Sequence, residues 1–249
     1  MSEEWRIYPC TIDENRGYIM LDVAVAETIA KLPNALAIVR LDFKNPERGD
    51  LPVPEENDAV CVIEERIEEF TRQKSDGYVG RVTSAGQRRF YIYTRRDAEA
   101  WSQFVRKLGA ETGYALQAAV SNDPSHQKYW NDLYPSEDDW RVINDMSVLD
   151  NLRENGDVET AVRQFDHWIY FDGESTARQF IDWATKDRFT LDTETTGLAE
   201  DGRYGVRLRH NGTAVLNDVT SHTLALNRKA EELGGDYDGW ETFVIRGGS

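Results

Sequence analysis

The chain holds only two cysteines in 249 residues, Cys10 and Cys61, far apart and in no pattern. Such spacing fits no zinc, redox or disulfide framework. Cys61 falls on the apolar face of a predicted helix, where it reads as a small core residue rather than a reactive thiol. No stretch approaches the roughly 18 consecutive apolar residues of a membrane span. The N-terminus, Met1-Ser2-Glu3-Glu4-Trp5, lacks the basic start and apolar middle of a signal peptide. These absences lead us to expect a cytoplasmic protein of bacterial type. Phosphate-binding loops, dinucleotide fingerprints and nucleophile elbows are missing as well. The four histidines, His126, His167, His210 and His222, have no metal-ligand spacing. With no acid, base and nucleophile assembling, we expect no catalytic residue, no metal and no cofactor.

Positive charge is also scarce. Lys and Arg number 29 against 45 Asp and Glu, for a net charge of −16. The deficit is uneven: residues 1–135 carry 17 against 22, a net −5, and the remainder 12 against 23, a net −11. Such a chain repels phosphate backbones, so direct nucleic-acid binding is not expected. Its acidic second half would instead suit a basic protein surface. The hydrophobic fraction of 40%, with 7 Trp, 11 Tyr and 9 Phe, is enough for packed cores.

Periodicity divides the chain in two. The first half opens with strand-like runs Trp5 to Asp13 and Tyr18 to Val25 around a turn at Asn15-Arg16-Gly17. Ala35 to Asp42 is a further strand, followed by a loop holding Pro46, Gly49, Pro52 and Pro54. Val60, Ile63, Ile67 and Phe70 then recur at helical spacing. Gly77 to Thr83 and Arg88 to Thr94 form a hairpin, Asp97 caps a helix bearing Trp101, Phe104, Val105 and Leu108, and Ala115 to Val120 is the last strand. The polar segment 121–137, with Pro124 and Pro135, reads as a linker.

Beyond it, Ser136 starts a helix that Gly156 ends, and Val162 to Phe171 is a strand. Ser175 caps a second helix. Phe189 to Glu194 and Tyr204 to His210 are strands, Asn217 to Leu233 a helix, and Glu241 to Ile245 the closing strand. Each half thus contains the order β-α-β-β-α-β, which interleaves into a four-stranded antiparallel sheet with both helices on one face. The expected fold is α+β: two tandem ferredoxin-like domains, 1–122 and 138–249, the first with an extra N-terminal hairpin.

Three constellations could carry chemistry. Asp192-x-Glu194-Thr195-Thr196-Gly197-Leu198 resembles the first motif of proofreading-type 3′–5′ exonucleases, whose paired carboxylates hold two divalent metals. Only 51 residues follow Leu198, too few for the remaining ligands of that core, so a plain strand ending in a Thr/Gly loop is favoured. Arg88-Arg89-Phe90-Tyr91-Ile92-Tyr93 lies where RNA-recognition motifs place base-stacking aromatics, with Tyr91 and Tyr93 sharing a face. The acidic domain and the missing glycines of that motif favour a half-buried strand with its tyrosines toward water. His167, between Phe165 and Ile169 on one strand face, reads as a hydrogen-bonded core histidine.

The last constellation is Asp236-Tyr237-Asp238-Gly239-Trp240, after the helix end Leu233-Gly234-Gly235, which reads as a turn delivering Trp240 into the terminal strand. Ala225 to Phe243, anchored on Tyr237-Asp238-Gly239-Trp240, resembles the C-terminus of the regulator of ribonuclease E activity B family. Val162 to Leu191 and Val206-Arg207-Leu208 extend that resemblance over about 138–249. Tyr78 to Thr83 followed by Arg89 to Tyr93 resembles an uncharacterised bacterial domain found fused to it. The resemblance implies a non-enzymatic inhibitor that binds a ribonuclease E-like endoribonuclease. Asp236 to Trp240 is then either part of the partner-binding surface or a structural corner.

Overall fold

The computed structural model of the chain describes residues 4–46, 51–74, 76–186 and 188–247. It divides into two compact units, Met1–Pro135 and Ser136–Ser249. Unit one contains strands β1 (Trp5–Ile12), β2 (Asn15–Asp22) and β3 (Ala35–Asp42), helix α1 (Pro54–Arg72), and strands β4 (Gly77–Ser84) and β5 (Gln87–Thr94). Helix α2 (Ala98–Thr112), strand β6 (Leu116–Asn122) and the short helix α3 (Gln127–Asp132) complete it. Its sheet runs β1-β2-β4-β5-β3-β6 with every neighbour antiparallel. The four strands β6-β3-β5-β4 are the interleaved β-α-β pairs expected, and the first hairpin widens them to six.

Helices α1 and α2 close one face around Val39, Ile63, Ile67, Phe90, Ile92 and Trp101. Alternation along each strand supplies that core, and Asp97 caps α2 through the Ala100 N–H at 2.9 Å. Charge is also buried under α1, where Glu64 accepts from the Tyr78 hydroxyl at 2.7 Å and pairs with Arg81 and Arg88.

Three expectations in this unit are corrected. The first turn lies at Asp13 and Glu14, with φ of 48° and 69°, as the twist of a two-residue hairpin requires. Gly17 is a strand residue, needed because a Cβ there would meet Thr83 O at 2.5 Å. Pro54 begins α1 rather than sitting in a loop; Pro46 and Pro52 bridge each other, and Gly49 lies outside the described residues. Finally, the polar segment read as a linker folds onto the sheet. Asp123 accepts from the N–H groups of Gln127 and Lys128 at 2.9 and 3.0 Å and from the Tyr93 hydroxyl at 2.8 Å. Tyr129 and Leu133 are thereby fully buried.

Unit two runs α4 (Glu137–Glu154), β7 (Arg163–Phe171), α5 (Glu174–Ala184), β8 (Thr190–Leu191), β9 (Gly197–Leu198), β10 (Tyr204–Gly212), α6 (Leu216–Glu232) and β11 (Gly235–Glu241). The order β11-β7-β10-β8 is again that of interleaved β-α-β pairs, with β9 pairing β10 beside β8. Helices α5 and α6 cover one face through Ile169, Phe171, Phe180, Val206, Leu208 and Leu226. Helix α4 lies beside α6, started by a capping box between Ser136 and Asp139.

The α5 cap is Gly173, not Ser175. The strand expected over Phe189 to Glu194 shrinks to two residues because Asp192 turns the chain: its carboxylate accepts from the Glu194 N–H at 3.1 Å and the Thr195 hydroxyl at 2.9 Å. The closing strand begins at Gly235, six residues before Glu241, so Tyr237 to Trp240 lie inside it. Beyond it the chain docks by single contacts, Val158 N–H to Ile245 O at 2.8 Å and Ile245 N–H to Asp157 Oδ1 at 2.7 Å.

Candidate functional site

Strand alternation gives unit two a covered face and an open one. On β7, Phe165, His167, Ile169 and Phe171 turn to the helices, which leaves Asp166, Trp168 and Tyr170 on the opposite face. On β10, Val206, Leu208 and His210 turn inward, so Arg207 and Arg209 join Trp168 and Tyr170. Neither tryptophan nor tyrosine is fully buried here. The Arg207 guanidinium lies 4.8 Å from the Trp168 ring and that of Arg203 4.4 Å from the Tyr170 ring. A groove of about 340 Å³ runs along these rings, and Leu198 on its rim is 78% exposed.

Carboxylates hold the arginines in place. Arg209 pairs with Asp192 at 2.6 Å and Asp166 at 3.0 Å, and Arg207 with Asp166 at 3.2 Å. Arg203 reaches Asp201 at 2.7 Å and Asp236 at 3.5 Å. Such forked pairs fix a planar guanidinium over a ring. The face therefore presents aromatic surface and oriented cations inside a rim of acids.

The residues singled out in β11 divide between the two faces. Tyr237 is 2% exposed and its hydroxyl is hydrogen-bonded to His167 Nδ1 at 2.7 Å. The Trp240 indole N–H donates to Asp145 Oδ1 at 2.7 Å, beside Phe165. Asp238 is the extra residue of a bulge, since Tyr237 pairs Ile169 while Gly239 pairs Trp168. Gly239 takes φ +147°, which side-chain-bearing residues avoid. Asp236 and Asp238 are exposed to solvent, whereas Tyr237 and Trp240 are held by contacts inside the unit.

The sequence reading missed the company His167 keeps. His167 Nε2 is hydrogen-bonded to His210 Nδ1 at 2.8 Å, and His210 stacks on His222 with ring centroids 3.9 Å apart. His222 Nδ1 in turn meets Asp218 O at 2.7 Å. Burial, reinforced by the neighbouring imidazoles, holds His167 well below the usual histidine value; burial and His222 push His210 down to about 4. The three come from a strand, a second strand and a helix, so no linear spacing announces them. They are committed to one another, and among the described residues no group of His, Cys, Asp or Glu is arranged to hold a metal ion.

Asp192 and Glu194 do not converge. Asp192 is 4% exposed. Burial works to raise its pKa, but Thr195, the Glu194 N–H, Arg209 and Arg207 outweigh that and pull it below the ordinary value. A metal would have to displace Arg209, while Glu194 points to water. The Tyr91/Tyr93 platform is overturned too: the tyrosines are 2% and 0% exposed, with hydroxyls donated to Asp132 at 3.3 Å and Asp123 at 2.8 Å. The folded-back α3 covers the surface that bases would need.

Residues 3–134, more than half of the chain, match the model of a family of unknown function, DUF695. The chain belongs to the DUF695 family. Residues 143–242 match a second family model, regulator of ribonuclease activity B (RraB). The two matches agree with both resemblances read from the sequence, and the RraB match spans all five strands of the unit-two sheet. No curated protein matches the chain. Among solved structures, an unknown protein from Galdieria sulphuraria is 12% identical, covering 85% of this chain and 99% of its own at a TM-score of 0.22. A candidate glycine cleavage system transcriptional repressor is 7% identical, covering 84% and 98% at a TM-score of 0.24. Neither superposition carries an argument about function.

Proposed function

We propose that this DUF695 protein is a non-catalytic regulator of an RNA-degrading endoribonuclease of the ribonuclease E type, working in the bacterial cytoplasm. The observation that carries the reading is the match of residues 143–242 to the regulator of ribonuclease activity B. Its support is the open face of unit two. Trp168 and Tyr170 supply rigid contact area of the kind that dominates interface energies. Asp236, Asp238 and Glu241 along the β11 edge receive arginines and lysines of a basic partner segment, and the net −11 of residues 136–249 steers such a segment in. No helix of the described residues is long and apolar enough to cross a membrane.

The test is association of the purified chain with purified ribonuclease E, read together with cleavage of labelled RNA. Trp168→Ala is expected to cost about 2 kcal/mol of binding, roughly 30-fold in Kd, and to relieve inhibition in parallel. Absence of association at low salt removes the partner assignment. Metal-dependent cleavage by the protein alone, abolished by Asp192→Asn, would replace a regulator with a nuclease.

A further inference from the structure

In unit one, the sheet face opposite α1 and α2 carries an arrangement that its own residues do not satisfy. Arg40 on β3 and Arg89 on β5 are direct cross-strand partners in an antiparallel pair. Both stand on the face shared with Tyr91, opposite the Val39 and Phe90 core. Directly opposed residues hold their Cβ atoms about 5 Å apart, and like charges in that relation repel. On either side the register places neutral groups: Val82 beside Arg89 and Gln117 beside Arg40.

The carboxylates facing the pair answer Arg40 and not Arg89. Arg40 Nη2 donates to Asp42 Oδ2 at 3.2 Å. Arg40 Nε lies 3.1 Å from Asp42 Oδ1 but off the line a hydrogen bond needs, so that buried N–H donates to nothing. Arg89 is half-buried, makes no ion pair or hydrogen bond among the described residues, and has its Nε shut off from solvent. Of the further acids on this side, Asp132 is taken up by Lys128 at 3.2 Å and by the Tyr91 hydroxyl at 3.3 Å, and Asp123 by the Tyr93 hydroxyl at 2.8 Å and the N–H groups of Gln127 and Lys128. Among the described residues, then, one arginine of the opposed pair has no carboxylate partner. Buried guanidinium donors without acceptors are costly.

We propose that Arg40 and Arg89 form a binding site for a phosphate group. Each guanidinium presents a planar fork of donors, and a tetrahedral dianion has oxygens enough to engage both forks at once. A single carboxylate answers only one fork, and Asp42 already supplies one. The bound group would accept from the Nη–H groups at the outer ends of the two guanidiniums and turn the repulsion across β3 and β5 into a shared attraction. Gln117, exposed on the edge strand β6, is placed to donate to the same group from the outer side. Free phosphate and the phosphate of a nucleotide share this chemistry.

The experiment is titration calorimetry of the full chain at constant ionic strength with inorganic phosphate, adenosine monophosphate, adenosine and acetate. Saturable binding of phosphate or of the monophosphate, without adenosine or acetate, is expected. Arg89→Gln and Arg40→Gln are each expected to weaken it by about tenfold or more, the loss of a charge-assisted hydrogen bond. In the absence of anion, the melting temperature of Arg89→Gln should equal or exceed that of the parent, since the substitution removes repulsion; a purely structural arginine would lower it. Binding of the monophosphate alone assigns the site to a nucleotide, and of both to the free group. Phosphate binding equal in parent and both variants, acetate binding as tight as phosphate, or no heat at millimolar phosphate overturns the proposal.

Discussion

Tyr237 and Trp240 end polar contacts that begin in other elements, and that explains why a polar run of sequence is held so firmly. Tyr237 reaches His167, which is hydrogen-bonded to His210, which stacks on His222. His167 and His210 must stay neutral to be buried as they are. The unfolded imidazole has its ordinary pKa near 6.5, whereas the folded His210 sits at about 4 and His167 lies well below the usual value. Between those values the unfolded chain binds more protons, so stability is complete above about pH 6.5 and is lost as pH falls toward the folded pKa. Going from about pH 7 to about pH 5 should cost roughly 2 kcal/mol through His210 alone. Urea unfolding followed at both pH values checks this. An unchanged midpoint would mean that the imidazoles are not neutral in the fold.

At the scale of elements, the pieces that sequence could not place are those set by contacts between distant residues. Helices α1, α2 and α6 and strands β3, β5 and β7 follow from periodicity and lie within a few residues of their expected positions, because burial of one face repeats at 3.6 or 2 residues. Segment 123–134 has no such repeat. It is structured because Asp123 satisfies two helix N–H groups and Tyr93 at once. Asp123→Ala should therefore cost about 1–3 kcal/mol and raise amide exchange over 123–134; exchange unchanged there would show that Tyr129 packing alone holds α3. The β11 edge was misread for a similar reason. Gly234-Gly235 and Asp238-Gly239 look like turn chemistry, yet the second pair is a bulge inside a strand. A Gly239→Ala substitution forces a side chain to φ +147° and should destabilise unit two by about 1–3 kcal/mol, measured by thermal unfolding. The open-face arginines were equally hidden, since Arg203, Arg207 and Arg209 acquire meaning only when β10 lies beside β7.

For the whole molecule, the division at Pro135 and Ser136 separates two sheets, each closed by its own helices and each with its own core. Units of more than 100 residues bury enough surface to stand alone, so a fragment spanning 136–249 should fold cooperatively. If the docking face belongs wholly to the RraB-matched region, that fragment should bind ribonuclease E within a few-fold of the full chain. The DUF695 fragment, 1–135, should not bind it. The charge distribution sharpens the expectation: the second unit carries −11 of the total −16, so the salt dependence of binding should survive removal of the first unit almost intact. Affinity of full chain and fragment, measured across a salt series, decides it. A fragment that folds but binds far more weakly than the full chain would place part of the interface on the DUF695 unit, and regulation would then require both sheets rather than the second alone.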